Sequence, residues 1–385
     1  MKTNQKHLNP MYNFPKAMLR VFAAITLSIA MFISLGTVSA QQTNPFFGHI
    51  GKVKYKSGFS MDDYWVWCGS VIKDEKGTYH MFASRWPKKF PFHPTWMVAS
   101  EIVRAESPTP EGPYTFKEVV LPARGAQYWD GRSTHNPSIS KYGDKYVLFY
   151  MGSTHPFDDP KDASQLSLNS VYATVGRSNK RIGVAIADAL TGPWKRLDKP
   201  VLDSKPNTFY SFLTSNPAPL IRKDGSVLMV FKGRAYGQKY PYQSSQKIGI
   251  AYAKSIQDTF TVLNNNLPLF ADATYSEFED PFLWEDKDGL HLLMKDMTSK
   301  MTGEHHAGVL FHSKDGVKWT IDKQPKAYSR LLQFEDGKEI TMGQLERPFV
   351  LFEKGKPVYM FFATMDGKGG FENGTKSWNI AIPVN

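Results

Sequence analysis

The sequence predicts an all-β protein: a single five-bladed β-propeller of four-stranded blades, closed by its N-terminal strand. Two observations carry this prediction. Five short motifs recur along the chain: WCGSVI (Trp67 to Ile72), HNPSI (His135 to Ile139), SNPAPLI (Ser215 to Ile221), EDPFLW (Glu279 to Trp284) and ERPFVLF (Glu346 to Phe352). Their anchoring residues Gly69, Pro137, Pro217, Pro281 and Pro348 lie 68, 80, 64 and 67 residues apart, a period long enough for one blade each. In addition, every motif is followed by a glycine-containing bend and an aromatic-rich run, the pattern of a two-strand hairpin.

Those second strands are GTYHMFAS (from Gly77), GDKYVLFYMG (from Gly143), GSVLMVFKG (from Gly225), GLHLLMKD (from Gly289) and GKPVYMFFA (from Gly355). A third strand alternates small and aliphatic residues, as in IGVAIAD from Ile182, IGIAYAK from Ile248 and HAGVLFHS from His306. An outer strand follows a turn in EGPYTF, TGPWKRL, DTFTVL and DGVKWTI. The last unit ends at its third strand, NIAIPVN, so HIGKVKY (His49 to Tyr55) is expected to supply the fourth and cover the open edge. Two insertions interrupt the period, Arg85 to Val98 and Gly152 to Lys180, and both are expected near the site because loops over a propeller mouth shape the ligand pocket.

Residues 1–40 read as a leader rather than as part of the fold. Lys2, Lys6, Lys16 and Arg20 precede an apolar run from Val21 to Leu35, and Val38-Ser39-Ala40 matches a small-x-small cleavage site, with cleavage after Ala40. Residues 41–385 then form one propeller domain of a periplasmic or secreted protein, with no membrane association once the leader is removed. The formal charge of +11 falls to +7 without those four basic residues, an excess that suits either an anionic substrate or solubility. The basic residues are dispersed and no binding motif appears, so nucleic acid is not an expected partner. Cys68 is the only cysteine and cannot form an internal disulfide.

In a propeller the first strand of each blade lines the central channel. The residues just before the anchors should therefore converge: Trp67 and Cys68, His135 and Asn136, Ser215 and Asn216, Glu279 and Asp280, Glu346 and Arg347. Burying this many polar groups is unfavourable unless they pair or bind a ligand. Arg85, Arg234 and Lys295 end second strands and are placed to hold a sugar, as are His135 and His306. Trp65, Trp67, Trp86, Trp96 and Trp129 are candidate stacking platforms.

With these motifs the chain resembles the five-bladed propeller glycoside hydrolases of families 43, 32 and 117. The resemblance implies an oligosaccharide or polysaccharide substrate and places a general acid at Glu279, two residues before the fourth-blade proline. Family 43 relatives carry aspartates at the positions of Cys68 and Asn216, so the base must come from elsewhere. Asp62 or Asp63 is favoured, with Asp130 second. In the family 117 branch a histidine replaces the acid, which makes His135 or His306 competitors to Glu279. No zinc spacing or EF-hand loop is present and no cofactor is required. Relatives often hold one ion in the axial channel, so a structural calcium is compatible with the resemblance. The implied function is an exo-acting glycosidase on a plant or algal oligosaccharide. Two alternatives stay open: a lyase with a His or Tyr base and Arg347 on a uronate, and a non-catalytic sugar-binding propeller.

Overall fold

The computed structural model describes residues 44–271 and 277–385, so the expected leader lies outside the described residues. Four antiparallel sheets of four strands follow one another along the chain. Blade 1 contains β1 (Tyr64–Lys73), β2 (Tyr79–Pro87), β3 (Glu101–Ser107) and β4 (Thr115–Leu121). Blade 2 contains β5 (Ser133–Tyr142), β6 (Lys145–Ser153), β7 (Arg181–Ala187) and β8 (Lys195–Arg196). Blade 3 contains β9 (Leu213–Ile221), β10 (Val227–Arg234), β11 (Lys247–Ala253) and β12 (Thr261–Val262). Blade 4 contains β13 (Phe278–Asp286), β14 (Gly289–Asp296), β15 (Gly308–Ser313) and β16 (Thr320–Tyr328). A short hairpin, β17 (Leu331–Gln333) and β18 (Glu339–Thr341), leads into blade 5: β19 (Gln344–Glu353), β20 (Lys356–Met365) and β21 (Ser377–Pro383). The bend between the first two strands of every blade holds a glycine at positive φ: Gly77, Gly143, Gly225, Gly289 and Gly355. This left-handed conformation tightens the hairpin and excludes most other residues.

Each pair of neighbouring blades shares one apolar core. Phe82 and Ile102 of blade 1 pack with Leu148 and Tyr150 of blade 2. Phe149 and Val184 of blade 2 meet Met229 and Phe231 of blade 3. Val230 and Ile250 meet Leu292 and Phe311 of blade 4, while Leu293 and Leu310 meet Met360 and Phe362 of blade 5. The ring then closes through Phe361 and Ala381 of blade 5 against Val66, Met81 and Val103 of blade 1. Burial of these faces, at about 25 cal/mol per Å², is the main force holding the ring together.

The seam between blades 5 and 1 explains why the first anchor is glycine where the others are proline. Gly69 N donates to Asn379 Oδ1 at 2.7 Å, a bond proline cannot make. A Cβ at Gly69 would also lie 2.9 Å from the Asn379 side chain. Val66 N donates to Ser377 Oγ alongside it at 3.0 Å. In place of a continuous closing strand over His49 to Tyr55, the N-terminal residues form isolated bridges, Phe59 with Asn379 of β21 and Ile50 with Val384 just beyond it. Pro383, which has no N–H, interrupts the ladder between those bridges.

Both insertions fold into short helices, α1 (Phe92–Ala99) and α2 (Val171–Ser178), which the strand-based reading does not anticipate. They pack together through Met97, Val98, Tyr172 and Ala173. Gly176 permits the close approach, since a Cβ there would meet Met97 O at 2.8 Å.

Asp130 belongs to this scaffold. It is fully buried, accepting from Arg124 Nε at 2.6 Å, Tyr150 OH at 2.7 Å and Arg196 Nη1 at 3.3 Å. Replacing it removes the buried charge partner of two arginines, whose other partners are the exposed Asp198 and the carbonyls of Leu197 and Pro122. Asp130→Asn is therefore expected to lower unfolding free energy by about 3 kcal/mol in urea denaturation. A loss below about 1 kcal/mol would show that the cluster does not support blade 2.

Candidate active site

The residue before each anchor adopts the left-handed conformation: Cys68, Asn136, Asn216, Asp280 and Arg347 have φ between 52° and 56°. Each sits where the register between first and second strand shifts, a β-bulge. The bulge breaks the period-2 alternation of a strand. Consecutive residues such as His135 and Asn136, Glu279 and Asp280, and Glu346 and Arg347 therefore all line one cavity.

The five bulge residues are linked around the axis, four through their side chains and Arg347 through its backbone N–H. Cys68 Sγ donates to Asn136 Oδ1 at 2.8 Å, Asn136 Nδ2 to Asn216 Oδ1 at 2.9 Å, and Asn216 Nδ2 to Asp280 Oδ1 at 2.7 Å. Arg347 N donates to Asp280 Oδ2 at 3.1 Å. Burial pushes the Cys68 thiol up, so it stays protonated and serves as a donor. The aspartates of the family pattern would put further negative charge in this ring; thiol and amide groups instead pass one hydrogen bond from blade to blade.

Above the ring lies a cavity of about 330 Å³ with two unlike walls. One is aromatic. Trp67 and Trp86 each approach Phe92 at 4.9 Å, and Phe371 from the loop after β20 lies 5.3 Å from Phe92. Trp96 stacks on His135 at 5.0 Å. The Trp86 Nε1 donor is buried and makes no hydrogen bond among the described residues.

The other wall is charged and turns on Lys295. This ammonium group, on a side chain 1% exposed, stands 2.9 Å from Glu279 Oε2, 2.7 Å from Glu346 Oε1 and 3.4 Å from Asp280 Oδ2. Lys232 Nζ takes the other oxygen of Glu279 at 2.5 Å. Burial alone would raise the Glu279 pKa, but Lys232 and Lys295 outweigh it and hold the carboxyl well below its ordinary range. Glu346 is different: burial raises it most, Lys295 offsets only part, and Asp280 and Glu279 repel a further charge. Its pKa is pushed up to about 7. Burial together with nearby cations, Lys180 first among them for His135 and His93 and Lys295 for His306, lowers all three histidines, the latter two to about 4. All three are therefore neutral at pH 7.

The structure brings together Trp67, His135, Asn136, Asn216, Glu279, Asp280, Lys295, His306, Glu346 and Arg347 as expected from the sequence. The three candidate bases lie elsewhere. Asp62 and Asp63 are exposed in the turn before β1 and line no part of the cavity, and Asp130 is locked in its arginine cluster. Arg85 also serves the scaffold, held by Glu101 at 2.8 Å and stacked on Tyr64 and Phe116. Arg234 donates to Ser244 O and Gln246 Oε1 beside the cavity. Trp65 donates to Phe90 O, and Trp129 packs against Tyr150 within blade 2. The sequence reading missed Lys232. Its signal was available, since it shares a strand face with Arg234 two residues on.

Among the described residues no group of three or more His, Cys, Asp and Glu is placed to hold a metal. The axial ring does not fit a calcium ion, which needs about 6–8 oxygen ligands. It offers one carboxylate, Asp280, already facing Lys295 and Arg347.

Neither protein-family models nor curated proteins give a sequence match to the chain. Solved structures do match in fold. A family 117 glycoside hydrolase produced by the marine bacterium Zobellia galactanivorans aligns at 17% identity and a TM-score of 0.58, over 89% of this chain and 91% of that one. An endo-arabinase from Bacteroides thetaiotaomicron aligns at 13% identity and a TM-score of 0.51, over 87% and 97%. The Bombyx mori family 32 β-fructofuranosidase aligns at 12% identity and a TM-score of 0.55, over 96% and 67%. At these identities the likeness establishes the fold: the chain is a five-bladed propeller of the architecture shared by these glycoside hydrolases.

The bulge ring yields a test that separates hydrogen bonding from backbone conformation. Asn136→Gly removes two ring bonds but tolerates the left-handed backbone, whereas Asn136→Ala also strains it. The alanine variant should be less stable than the glycine variant by about 1 kcal/mol in chemical denaturation. Equal stability, or a more stable alanine variant, would contradict the bulge geometry.

Proposed function

We propose that the protein is an exported, exo-acting glycoside hydrolase for a plant or algal oligosaccharide. In this reading Glu346 is the proton donor and Glu279 the ionised partner. The observation that carries it is the divergence of these two carboxyls around one ammonium group. An enzyme that cleaves glycosides needs one carboxyl protonated and one ionised at its working pH, and environments that push two pKa values apart assign those roles. The acid role expected at Glu279 moves to Glu346 because Lys232 and Lys295 stabilise the charged form of Glu279.

Both carboxyls contact Lys295 Nζ, so their contacting oxygens are no farther apart than the 2.9 Å and 2.7 Å contacts laid end to end. That upper limit lies below the roughly 6.5–9.5 Å of an inverting pair and is compatible with the roughly 5–5.5 Å of a retaining one. Glu346 protonates the departing oxygen as the glycosidic bond breaks, and Glu279 meets the positive charge that develops at the anomeric carbon. Water then adds to that carbon, its proton passing to the now-ionised Glu346. The aromatic wall receives the apolar face of the sugar. Arg347, whose Nε and Nη1 lack hydrogen-bond partners among the described residues, offers donors to its hydroxyls. The α1–α2 cap and Phe371 favour a pocket that accepts a chain end over an open cleft. Export rests on the basic lead, apolar run and small-x-small site of residues 1–40.

Loss of a positioned acid removes about 10²–10⁴-fold in rate. Glu346→Gln should therefore lower kcat/KM on aryl glycosides and oligosaccharides at least 100-fold, and wild-type kcat/KM should fall as pH rises through about 7. A variant keeping a tenth of the activity would remove Glu346 from the mechanism.

Stability carries the same sign. The raised pKa means that the folded protein holds this proton more tightly than the unfolded chain. Its contribution is complete below about pH 4.5 and is lost as pH rises through about 7. The stability difference between wild type and Glu346→Gln, followed by urea denaturation, should shift against wild type across that window. A pH-independent difference would show that Glu346 titrates normally. Glu279 works in the opposite sense, its contribution being lost only at acid pH.

A further inference from the structure

Next to the catalytic cavity lies a groove that the hydrolytic reading does not use. Its walls are the N-terminal segment from Lys54 to Ser60, the β17–β18 hairpin and the loop that joins β20 to β21. It measures about 920 Å³, against about 330 Å³ for the cavity. The two share one boundary. Gly343 lines the groove and Gln344 the cavity, while the β20–β21 loop places Gly367 and Lys368 in the groove and Phe371 in the cavity. A polymer with its end in the cavity therefore meets the groove across a single loop.

Aromatic rings and unpaired cations together line this groove. Tyr55 is 48% exposed and stacks on Phe334 with ring centres 4.8 Å apart. Half-buried Trp378 lies 6.0 Å from Lys376 Nζ. Such rings, apolar in the body and polar at one edge, suit the apolar face of a sugar. Five cations, Lys54, Lys56, Arg330, Lys368 and Lys376, stand against two carboxylates, Glu339 and Asp366. Both carboxylates are engaged locally. Asp366 accepts from Thr375 N and Oγ1 and from Lys376 N, and Glu339 accepts from Gln333 Nε2. Lys54 pairs with Glu111 at 2.9 Å, but Lys56, Lys368 and Lys376 form no ion pair among the described residues. Arg330 donates Nη1 to Gly343 O at 3.3 Å, and its buried Nε has no partner among the described residues. A concave surface with one sign of charge in excess concentrates ligands of the opposite sign.

We propose that this groove is a second carbohydrate site, which holds a stretch of acidic polysaccharide beside the cavity. Its sugar rings rest on Tyr55 and Trp378, and its carboxylate or sulfate groups meet Lys56, Lys368, Lys376 and Arg330. The proposal rests on the carbohydrate reading of the cavity and adds that the substrate is a charged polymer gripped outside it. Because the groove residues touch none of the reacting groups, they govern affinity for the polymer and leave the turnover of small glycosides unchanged.

Calorimetric titration with polygalacturonate, dextran sulfate and neutral galactan tests this, with Glu346→Gln as the background so that the polymers stay intact. At least one acidic polymer should bind tenfold or more tighter than galactan, and which one distinguishes carboxylate from sulfate. Reversing two exposed charges in the groove, Lys56→Glu with Lys368→Glu, should weaken that binding at least tenfold. Tyr55→Ala, which alters no charge, should weaken it at least threefold. The matched control on blades 2 and 3, Lys199→Glu with Lys254→Glu, should change it less than twofold. In the otherwise wild-type protein the groove variants should keep kcat/KM on aryl glycosides within twofold. Equal binding of acidic and neutral polymers, or an equal loss in the control, would overturn the site. So would groove variants that change self-association in sedimentation and not polymer binding, since the groove would then hold a second copy of the chain. Hydrolysis of aryl glycosides with polymer binding indifferent to the groove variants defeats the site and spares the hydrolase reading. Groove-dependent binding without hydrolysis of any glycoside does the reverse.

Discussion

One buried ammonium group organises the cavity. Lys295 comes from the end of β14, while the carboxylates it faces come from β13 and β19, so one cation joins blades 4 and 5 at the channel. Without it, Glu279, Asp280 and Glu346 would be three mutually repelling acids in a site largely closed to water. With it they divide into unlike groups. Lys232 reaches Glu279 as well, so Glu279 keeps its charge, while Glu346 receives only part of the compensation and keeps its proton. The asymmetry follows from where two lysines end, and no metal is needed to create it.

Around that centre the fold acts as a rigid frame. Five interblade cores fix the first strands, and five left-handed bulges turn successive side chains toward the axis. The chain of bonds from Cys68 through Asn136 and Asn216 to Asp280 holds the cavity floor, and Arg347 completes it. Left-handed backbone at five non-glycine residues is held only where surrounding structure over-determines it. Here the strain is shared by a chain of hydrogen bonds that runs from blade 1 through blades 2, 3 and 4 to blade 5.

Much of this was legible in the sequence. The anchor spacing identified the blades, and eight of the ten residues before the anchors line the cavity, from Trp67 to Arg347, while Cys68 and Ser215 do not. What stayed hidden depends on contacts between distant blades. The bulge conformations follow from strand pairing rather than from residue type, although Asn and Asp tolerate them best. The glycine at position 69 looks like a departure from the proline pattern until Asn379, 310 residues away, is seen to accept its N–H. Asp62, Asp63 and Asp130 were reasonable bases by position along the chain, but position does not distinguish an exposed turn from a buried arginine cluster. Glu279 was located correctly, while its charge state depends on Lys232 and Lys295. Lys180 sits at the end of a polar insertion whose helix the strand pattern conceals.

The central claim is that Glu346 carries a proton near neutrality while Glu279, bound to the same lysine, does not. Carboxyl carbon NMR of protein labelled at glutamate Cδ, assigned with Glu279→Gln and Glu346→Gln, measures this directly. The account requires Glu346 to titrate with a midpoint near 7 and Glu279 to remain ionised to well below pH 4.5. A midpoint for Glu346 in the ordinary carboxylate range, or a Glu279 resonance that moves between pH 6 and 8, would contradict it.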